Sequence, residues 1–139
     1  MDFAYERRIN YYETDKMGIV HHSNYIRFLE EARCYMLDEM GIPYSHFEEQ
    51  KIMIPVLGVN CSFKQHVTFD DIIVIKPYIK DFNGVRLTVG YNVTNKANGI
   101  TVLTGETKHC FTDTNLKPIR LQKSFPYIYD KFNNCKYCQ

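Results

Sequence analysis

Residues 11–25 of the chain, YYETDKMGIVHHSNY, place a single carboxylate a few residues before the start of a predicted helix. Asp15 can act as a nucleophile or as a general base, because a carboxylate can attack a carbonyl or activate a water. The first backbone N–H groups of the helix, around His22 to Tyr25, lack intrahelical partners and lie at the positive end of the helix dipole. Such donors suit a developing oxyanion, so this stretch contains the parts of an acyl-transfer site.

A purely structural role is the main alternative for the same residues. An Asp between a strand and a helix is usually a turn residue or a cap, and Gly18 permits tight backbone geometry. His21 and His22 could suggest a metal, but a metal site needs three or four ligands, and no third ligand is evident nearby. We therefore expect no metal site.

Two elements must position Asp15, one on each side of it. Residues 3–12 alternate between apolar and polar, which predicts a strand with one half-buried face. Residues 24–40 carry apolar side chains over roughly 200° of a helical wheel, which predicts a long helix covered on most of its circumference. Ser23 or Asn24 can serve as its N-cap, and Gly41 followed by Pro43 predicts its end. On the polar stripe, Arg27 and Glu31 are expected to pair.

The remainder of the chain has the pattern of an antiparallel sheet. Four strand-like runs follow the helix, at residues 52–67, 71–82, 85–93 and 100–112. Asn83-Gly84 and Asn98-Gly99 separate the later runs, and Asn-Gly between alternating runs favours a hairpin. We therefore predict an α+β domain in which about five antiparallel strands wrap around one central helix. It forms a single domain over residues 1–139, with residues from about 118 onward as an extension or a frayed end.

Composition excludes several classes of function. The chain has 139 residues with 17 Lys+Arg and 16 Asp+Glu, so a general nucleic-acid binder is not expected. No apolar run approaches the ~18 residues of a membrane span, and the segment MDFAYERR lacks an apolar signal core. Five scattered cysteines are typical of free thiols in a reducing cytoplasm, including the Cys135–Cys138 CxxC, which has no second pair.

The stretch RINYYETDKMGIVHHSNYIRFLEEAR resembles the hot-dog-fold acyl-CoA thioesterases. It is most similar to the 4-hydroxybenzoyl-CoA thioesterase family, including the bacterial thioesterases associated with the Tol-Pal system. The resemblance covers residues 5 to about 120. The matching residues are Arg8-Ile9, Thr14-Asp15, Gly18-Ile19-Val20, His22, Asn24-Tyr25, Glu30, Ala32-Arg33, Ser62-Phe63 and Phe69-Asp70-Asp71.

The resemblance implies cofactor-independent hydrolysis of an acyl-CoA to a free acid and coenzyme A. The catalytic acid falls on Asp15, and the backbone N–H of His22 polarises the thioester carbonyl. The expected substrate-binding residues are Gly18, Ile19, Val20, Tyr25, Val59, Asn60, Cys61, Lys64 and Arg86. The resemblance places Val59 to Cys61 of a second subunit in the acyl pocket of a homodimer, which is expected to assemble into a homotetramer.

The chain departs from the family pattern at Lys64, His66 and Arg86. Lys64, Lys80 and Arg86 could each meet coenzyme A phosphates, and solvated surface cations are the alternative. Three other functions stay open. One is an acyl-CoA-binding protein without catalysis, and another is a hydroxyacyl thioester dehydratase that uses His22 with Glu30. The third function is a helix-and-sheet binding module, a class of protein that tends to place its helices first in the chain. For Glu30 itself, the alternative is a structural role at the edge of the core, bonded to Arg33.

Overall fold

The computed structural model describes residues 2–136 and contains one five-stranded antiparallel sheet. Its strands are β1 Tyr5–Arg8, β2 Val56–Phe63, β3 Ile72–Phe82, β4 Arg86–Asn95 and β5 Thr101–Cys110. The strand order is β1-β3-β4-β5-β2, so β1 and β2 form the two edges. The hairpins predicted at Asn83-Gly84 and Asn98-Gly99 are confirmed, and both glycines adopt a positive φ. The predicted α+β class is confirmed.

One long helix, α1 Ser23–Glu39, packs against the inner face of this sheet. Its buried side chains belong to the predicted apolar arc and are Tyr25, Phe28, Leu29, Ala32, Met36 and Leu37. Ile26 was expected in the same arc, but it is 48% exposed. The helix begins at Ser23 with His22 at the N-cap position, slightly earlier than predicted. A five-stranded sheet around one long helix is the hot-dog architecture that the resemblance implies.

The strands predicted at residues 3–12 and 52–67 were too long, since β1 spans Tyr5–Arg8 and β2 spans Val56–Phe63. β1 ends at Arg8, and the chain then forms a 3₁₀ turn at Tyr11–Glu13, which leaves Tyr11 76% exposed. Before β2 the chain forms α2, Tyr44–Glu49, which the sequence analysis did not predict. A six-residue helix shows fewer than two turns of periodicity, and Phe47 is its only buried residue.

The tail beyond Pro118 is not frayed over its described part. It forms α3 Leu121–Ser124 and α4 Pro126–Cys135, and their buried residues are Leu121, Ile128 and Phe132. The Phe132 ring lies 5.1 Å from Phe82 and 5.6 Å from Phe111, measured between ring centroids. The tail therefore completes the hydrophobic core. Cys138 lies outside the described residues, so the structure does not test the prediction of a free thiol at the second cysteine of the CxxC.

The predicted pairing of Arg27 with Glu31 was wrong. Glu31 instead accepts hydrogen bonds from Arg7 Nε at 2.8 Å and from the Tyr5 hydroxyl at 2.9 Å. Both donors lie on β1, so these hydrogen bonds connect the edge of the sheet to Glu31 on α1. The side chain of Arg7 is only 11% exposed, so its ion pair is less screened by water than a pair with exposed Arg27.

The thiols of Cys34, Cys61 and Cys110 are free, as predicted. Among residues 2–136, no helix is both long enough and apolar enough to cross a membrane.

Candidate active site

Asp15 lies in the loop that joins the 3₁₀ turn to α1, here called the site loop (residues 13–22). The Asp15 N–H donates to the Ile19 carbonyl and the Gly18 N–H donates to the Asp15 carbonyl, both at 2.9 Å. Gly18 has φ +77, a conformation that glycine adopts without strain. One carboxylate oxygen of Asp15 accepts the Met17 N–H at 2.9 Å, and the other makes no hydrogen bond to the described residues. Asp15 is therefore both a turn residue and a held carboxylate with one available oxygen.

The two ends of the site loop are held together and against the sheet. The Val20 N–H donates to the Val67 carbonyl at 2.9 Å, which fixes the loop to the segment that follows β2. The Glu13 carbonyl accepts the His21 N–H and the Asn24 side-chain amide, each at 2.9 Å. The segment carrying Asp15 is thus fixed relative to the start of α1.

The start of α1 leaves one backbone donor available, at His22. The N–H groups of Ser23, Asn24 and Tyr25 donate to His21 or His22, at 3.0 to 3.3 Å. The His22 N–H donates to none of the described residues. Unpaired N–H groups were expected around His22 to Tyr25, and among the described residues only the N–H of His22 fits that expectation.

A cleft of about 350 Å³ opens beside this helix start, and we call it the cleft. It is lined by Ile19, Val20, His22, Tyr25, Phe63, Lys64, Gln65 and His66. The Tyr25 and Phe63 rings lie 5.5 Å apart and provide an aromatic wall. Burial raises the pKa of Tyr25 to about 12, so its hydroxyl stays neutral at physiological pH. The cleft combines an apolar wall with a basic rim, which suits a ligand with an apolar part and an anionic part.

The structure brings together seven of the eleven predicted site residues. Ile19, Val20, His22, Tyr25 and Lys64 line the cleft, and Asp15 and Gly18 lie in the adjoining site loop. The sequence analysis did not assign Phe63, Gln65 or His66 to the site. Phe63 belongs to the matching Ser62-Phe63 motif and His66 is a departure from the family pattern, but a residue pattern does not show which side chains of β2 and its following loop are left uncovered.

The other predicted residues lie apart from the cleft within one chain. Val59 pairs with Thr107 and Cys61 with Gly105, so both face inward, whereas Asn60 pairs with Glu106 on the outer face. Arg86 pairs with Cys110, whereas Phe63 at the cleft pairs with Leu103. Those positions on β5 are about 23 Å apart along the strand. The coenzyme A contact of Arg86 stays a prediction.

A second cavity of about 270 Å³ lies between α1 and the far end of the sheet. Glu30, Arg33 and Cys34 line it from the helix, and Phe132 closes it from α4. Arg33 donates to the Tyr91 hydroxyl at 3.0 Å rather than to Glu30. Glu30 and His22 therefore line different cavities in one chain.

The described part of the chain contains no group of three or more His, Cys, Asp or Glu side chains that could hold a metal ion.

Residues 9–127 match the Thioesterase-like superfamily. The chain belongs to this superfamily. Its relatives include YneP, a putative acyl-CoA thioesterase of Bacillus subtilis, which is 30% identical over 131 residues, covering 94% of this chain and 95% of the relative. The acyl-CoA thioester hydrolase YbgC of Escherichia coli is 27% identical over 127 residues, covering 88% and 91%.

Solved structures of this superfamily share the whole architecture. A DHNA-CoA thioesterase from Staphylococcus aureus superimposes with a TM-score of 0.91 at 28% identity, covering 96% of this chain and 89% of that one. The match includes most of the C-terminal part of the chain as well as the sheet. The hot-dog fold of this thioesterase-like chain is thereby confirmed.

Proposed function

We propose that this chain is an acyl-CoA thioesterase that hydrolyses an acyl-CoA to a free acid and coenzyme A, without a cofactor. The observation that carries the proposal is the N–H of His22 at the helix start, which donates to none of residues 2–136, beside a loop that holds Asp15. One Asp15 carboxylate oxygen accepts the Met17 N–H, and the other accepts no hydrogen bond from the same residues. The names of the relatives support the reaction class. We also infer that the chain falls within the 4-hydroxybenzoyl-CoA thioesterase family, of the Tol-Pal-associated kind, from the motif around Asp15.

In the proposed mechanism the His22 N–H donates to the thioester oxygen as negative charge develops on it. Asp15 follows one of two routes. As a nucleophile, its oxygen bonds to the acyl carbon while the C–S bond breaks, and water then hydrolyses the mixed anhydride. As a general base, it removes a proton from the water that attacks the same carbon. In both routes the coenzyme A thiolate leaves and takes up a proton.

The rim of the cleft offers contacts for the anionic part of coenzyme A. Lys64 lines the cleft and is exposed, so its ammonium can meet a phosphate as the ligand enters. Lys80, another surface cation, pairs with Glu106 at 2.7 Å. Lys64 is therefore the better candidate of these two for the phosphate contact.

We propose that the enzyme is a homodimer formed through β2, and that two dimers pair into a tetramer. β2 is an edge strand that exposes four apolar side chains, Val56, Leu57, Val59 and Phe63. An uncovered apolar edge favours association, and a second copy of the same strand can pair with it. In such a dimer Val59 to Cys61 of one subunit would face the acyl group bound by the other. The free thiols support a reducing, cytoplasmic location.

The dehydratase alternative needs His22 and Glu30 at one substrate, and these residues line different cavities in one chain. The non-catalytic alternative has no use for a carboxylate held in the site loop. Both therefore rank below hydrolysis.

The test is hydrolysis of an acyl-CoA panel from acetyl to palmitoyl, including aromatic acyl groups. Turnover is followed by the absorbance of the thioester bond, because the five protein thiols interfere with thiol reagents. We expect turnover of at least one class. Binding of acyl-CoA without any turnover would contradict the proposal and favour a binding protein. A single turnover in ¹⁸O-labelled water then separates the two routes, because label enters Asp15 only through the anhydride.

A further inference from the structure

A cluster of charges, formed by Arg7, Glu13 and Glu31, connects the site loop to β1 and α1. The Arg7 guanidinium donates to both carboxylate oxygens of Glu13, at 2.8 and 3.0 Å. It also donates to Glu31 at 2.8 Å and lies 3.9 Å from the centre of the Phe28 ring. One side chain of β1 therefore ties the site loop to α1.

Glu13 is the most enclosed carboxylate of this cluster, with 5% of its surface exposed. Oε1 of Glu13 also accepts the Asn10 N–H at 2.8 Å, so the side chain is held from two directions. Burial disfavours the charged form of Arg7, but its bonds to Glu13 and Glu31 outweigh that cost and raise the pKa of Arg7. The two parallel hydrogen bonds from one planar guanidinium to both carboxylate oxygens give this contact one preferred geometry.

The main chain of Glu13 connects the two halves of the candidate site. Its carbonyl accepts the His21 N–H and the Asn24 side-chain amide, each at 2.9 Å. Asp15 lies two residues after Glu13, and His22 directly follows His21. A rotation or shift of Glu13 would therefore change the position of the carboxylate relative to the His22 N–H.

We propose that Glu13 is a positioning residue for thioester hydrolysis, which sets the distance between the Asp15 carboxylate and the helix start through its pair with Arg7 and its bonds to His21 and Asn24. The proposal rests on the proposed function, because it assigns a role in that reaction. Glu13 touches no substrate. Its effect falls on the rate of the chemical step, and ground-state binding in the cleft is little changed.

The chain offers a matched pair of variants that separates positioning from stability. Glu13→Gln and Glu31→Gln each remove one carboxylate charge from the same Arg7 guanidinium. Only Glu13 belongs to the site loop. Glutamine has nearly the shape of glutamate, so each variant keeps an oxygen that can accept the remaining hydrogen bonds.

Glu13→Gln and Glu31→Gln should differ in kcat and agree in KM. Glu13→Gln should lower kcat by about 10- to 100-fold, because displacement of a reacting group by an ångström costs up to about 100-fold. Its KM should stay within about twofold of wild type, since the cleft walls are intact. Glu31→Gln should keep both constants within about twofold, whatever its effect on Tm. Asn24→Ala, which removes one donor to the Glu13 carbonyl, should lower kcat, and its effect should not add fully to that of Glu13→Gln.

Amide hydrogen exchange supplies a readout of the same contact without substrate. The His21 amide should lose protection in Glu13→Gln and keep it in Glu31→Gln. Equal losses of kcat in the two variants, following their losses of Tm, would overturn the positioning role. An active wild type with an unchanged Glu13→Gln variant would overturn this proposal alone. A wild type that hydrolyses no acyl-CoA would overturn the proposed function together with it.

Discussion

Lowering the pH should destabilise the folded chain through His109, which is buried beneath α1 with 1% of its surface exposed. Nε2 of His109 lies 2.7 Å from the Thr107 hydroxyl, which in turn lies 2.7 Å from the Tyr91 hydroxyl. Arg33 donates to that same Tyr91 oxygen at 3.0 Å. Among the described residues, Nδ1 of His109 has no hydrogen-bond partner. The ring therefore lies in a polar chain that gives an added proton little stabilisation.

The expected size of the effect follows from the pKa of this group. Burial and, to a smaller extent, the charge of Arg33 lower the pKa of His109 from 6.5 to about 4. The Pro55 backbone opposes this shift, although Nδ1 forms no hydrogen bond of normal geometry with a described residue. Above pH 6.5 the imidazole is neutral in both the folded and the unfolded state, so it adds no pH dependence. Between pH 6.5 and 4 only the unfolded state binds the proton, so folding loses stability as the pH falls. A gap of about 2.5 pH units corresponds to a loss of about 3 kcal/mol.

The assay is urea unfolding at fixed protein concentration, at pH 7 and pH 4.5, for wild type and His109→Gln. Glutamine keeps a polar side chain but does not titrate, so the variant lacks this proton linkage. We expect wild type to lose about 2.5 kcal/mol more than the variant between the two pH values. Other titratable groups also change charge over this pH range. Their effect is common to both proteins, so it cancels when the stability loss of His109→Gln is subtracted from that of wild type. Equal losses would refute the assignment of a neutral buried imidazole.

Two further predictions concern β2. A Cβ at Gly105 would lie 2.8 Å from the Asn60 carbonyl oxygen, so Gly105→Ala should separate β2 from β5 and lower the free energy of unfolding by about 1 to 3 kcal/mol in a urea titration. Gly58→Ala meets no atom within 4 Å and should lie within about 0.5 kcal/mol of wild type; equal effects would contradict the packing argument. Leu57→Lys, at a 51% exposed edge position, should produce monomers in light scattering, whereas Leu116→Lys, at 61% exposure in the loop after β5 and outside β2, should not. A Leu57→Lys variant that assembles like wild type would contradict association through β2.

The fold could be predicted where elements are long enough to show a period. α1 and the strands around Asn83-Gly84 and Asn98-Gly99 were found because alternation and helical spacing extend over ten residues or more. The 3₁₀ turn and α2 have three and six residues, which is too short for a period to emerge. The sequence analysis also missed the helices after Pro118, of four and ten residues, whose side chains at Leu121, Ile128 and Phe132 are buried.

The sequence indicates a chemistry for the candidate site, which stays a prediction, but it does not give the geometry. The residue types around Asp15 and the position of the helix start were enough to indicate acyl transfer. The free N–H at His22 depends on hydrogen bonds that His21 and its neighbours form in three dimensions, and no spacing rule gives them. The predicted partner of Glu31 was wrong because the actual partner, Arg7, lies 24 residues away in sequence. Helical spacing indicates only partners within the same helix, so it could not show this contact.

Turnover by wild type and Asp15→Asn on the best substrate tests most directly whether the Asp15 carboxylate performs the hydrolysis. Asparagine keeps an oxygen that can accept the Met17 N–H, so the turn should survive. Asp70→Asn is a matched control, because Asp70 is exposed and lies outside the site loop. We expect Asp15→Asn to lower kcat by about 100-fold or more with unchanged Tm and oligomeric state, and Asp70→Asn to match wild type. Near-normal turnover by a folded Asp15→Asn variant would contradict the account.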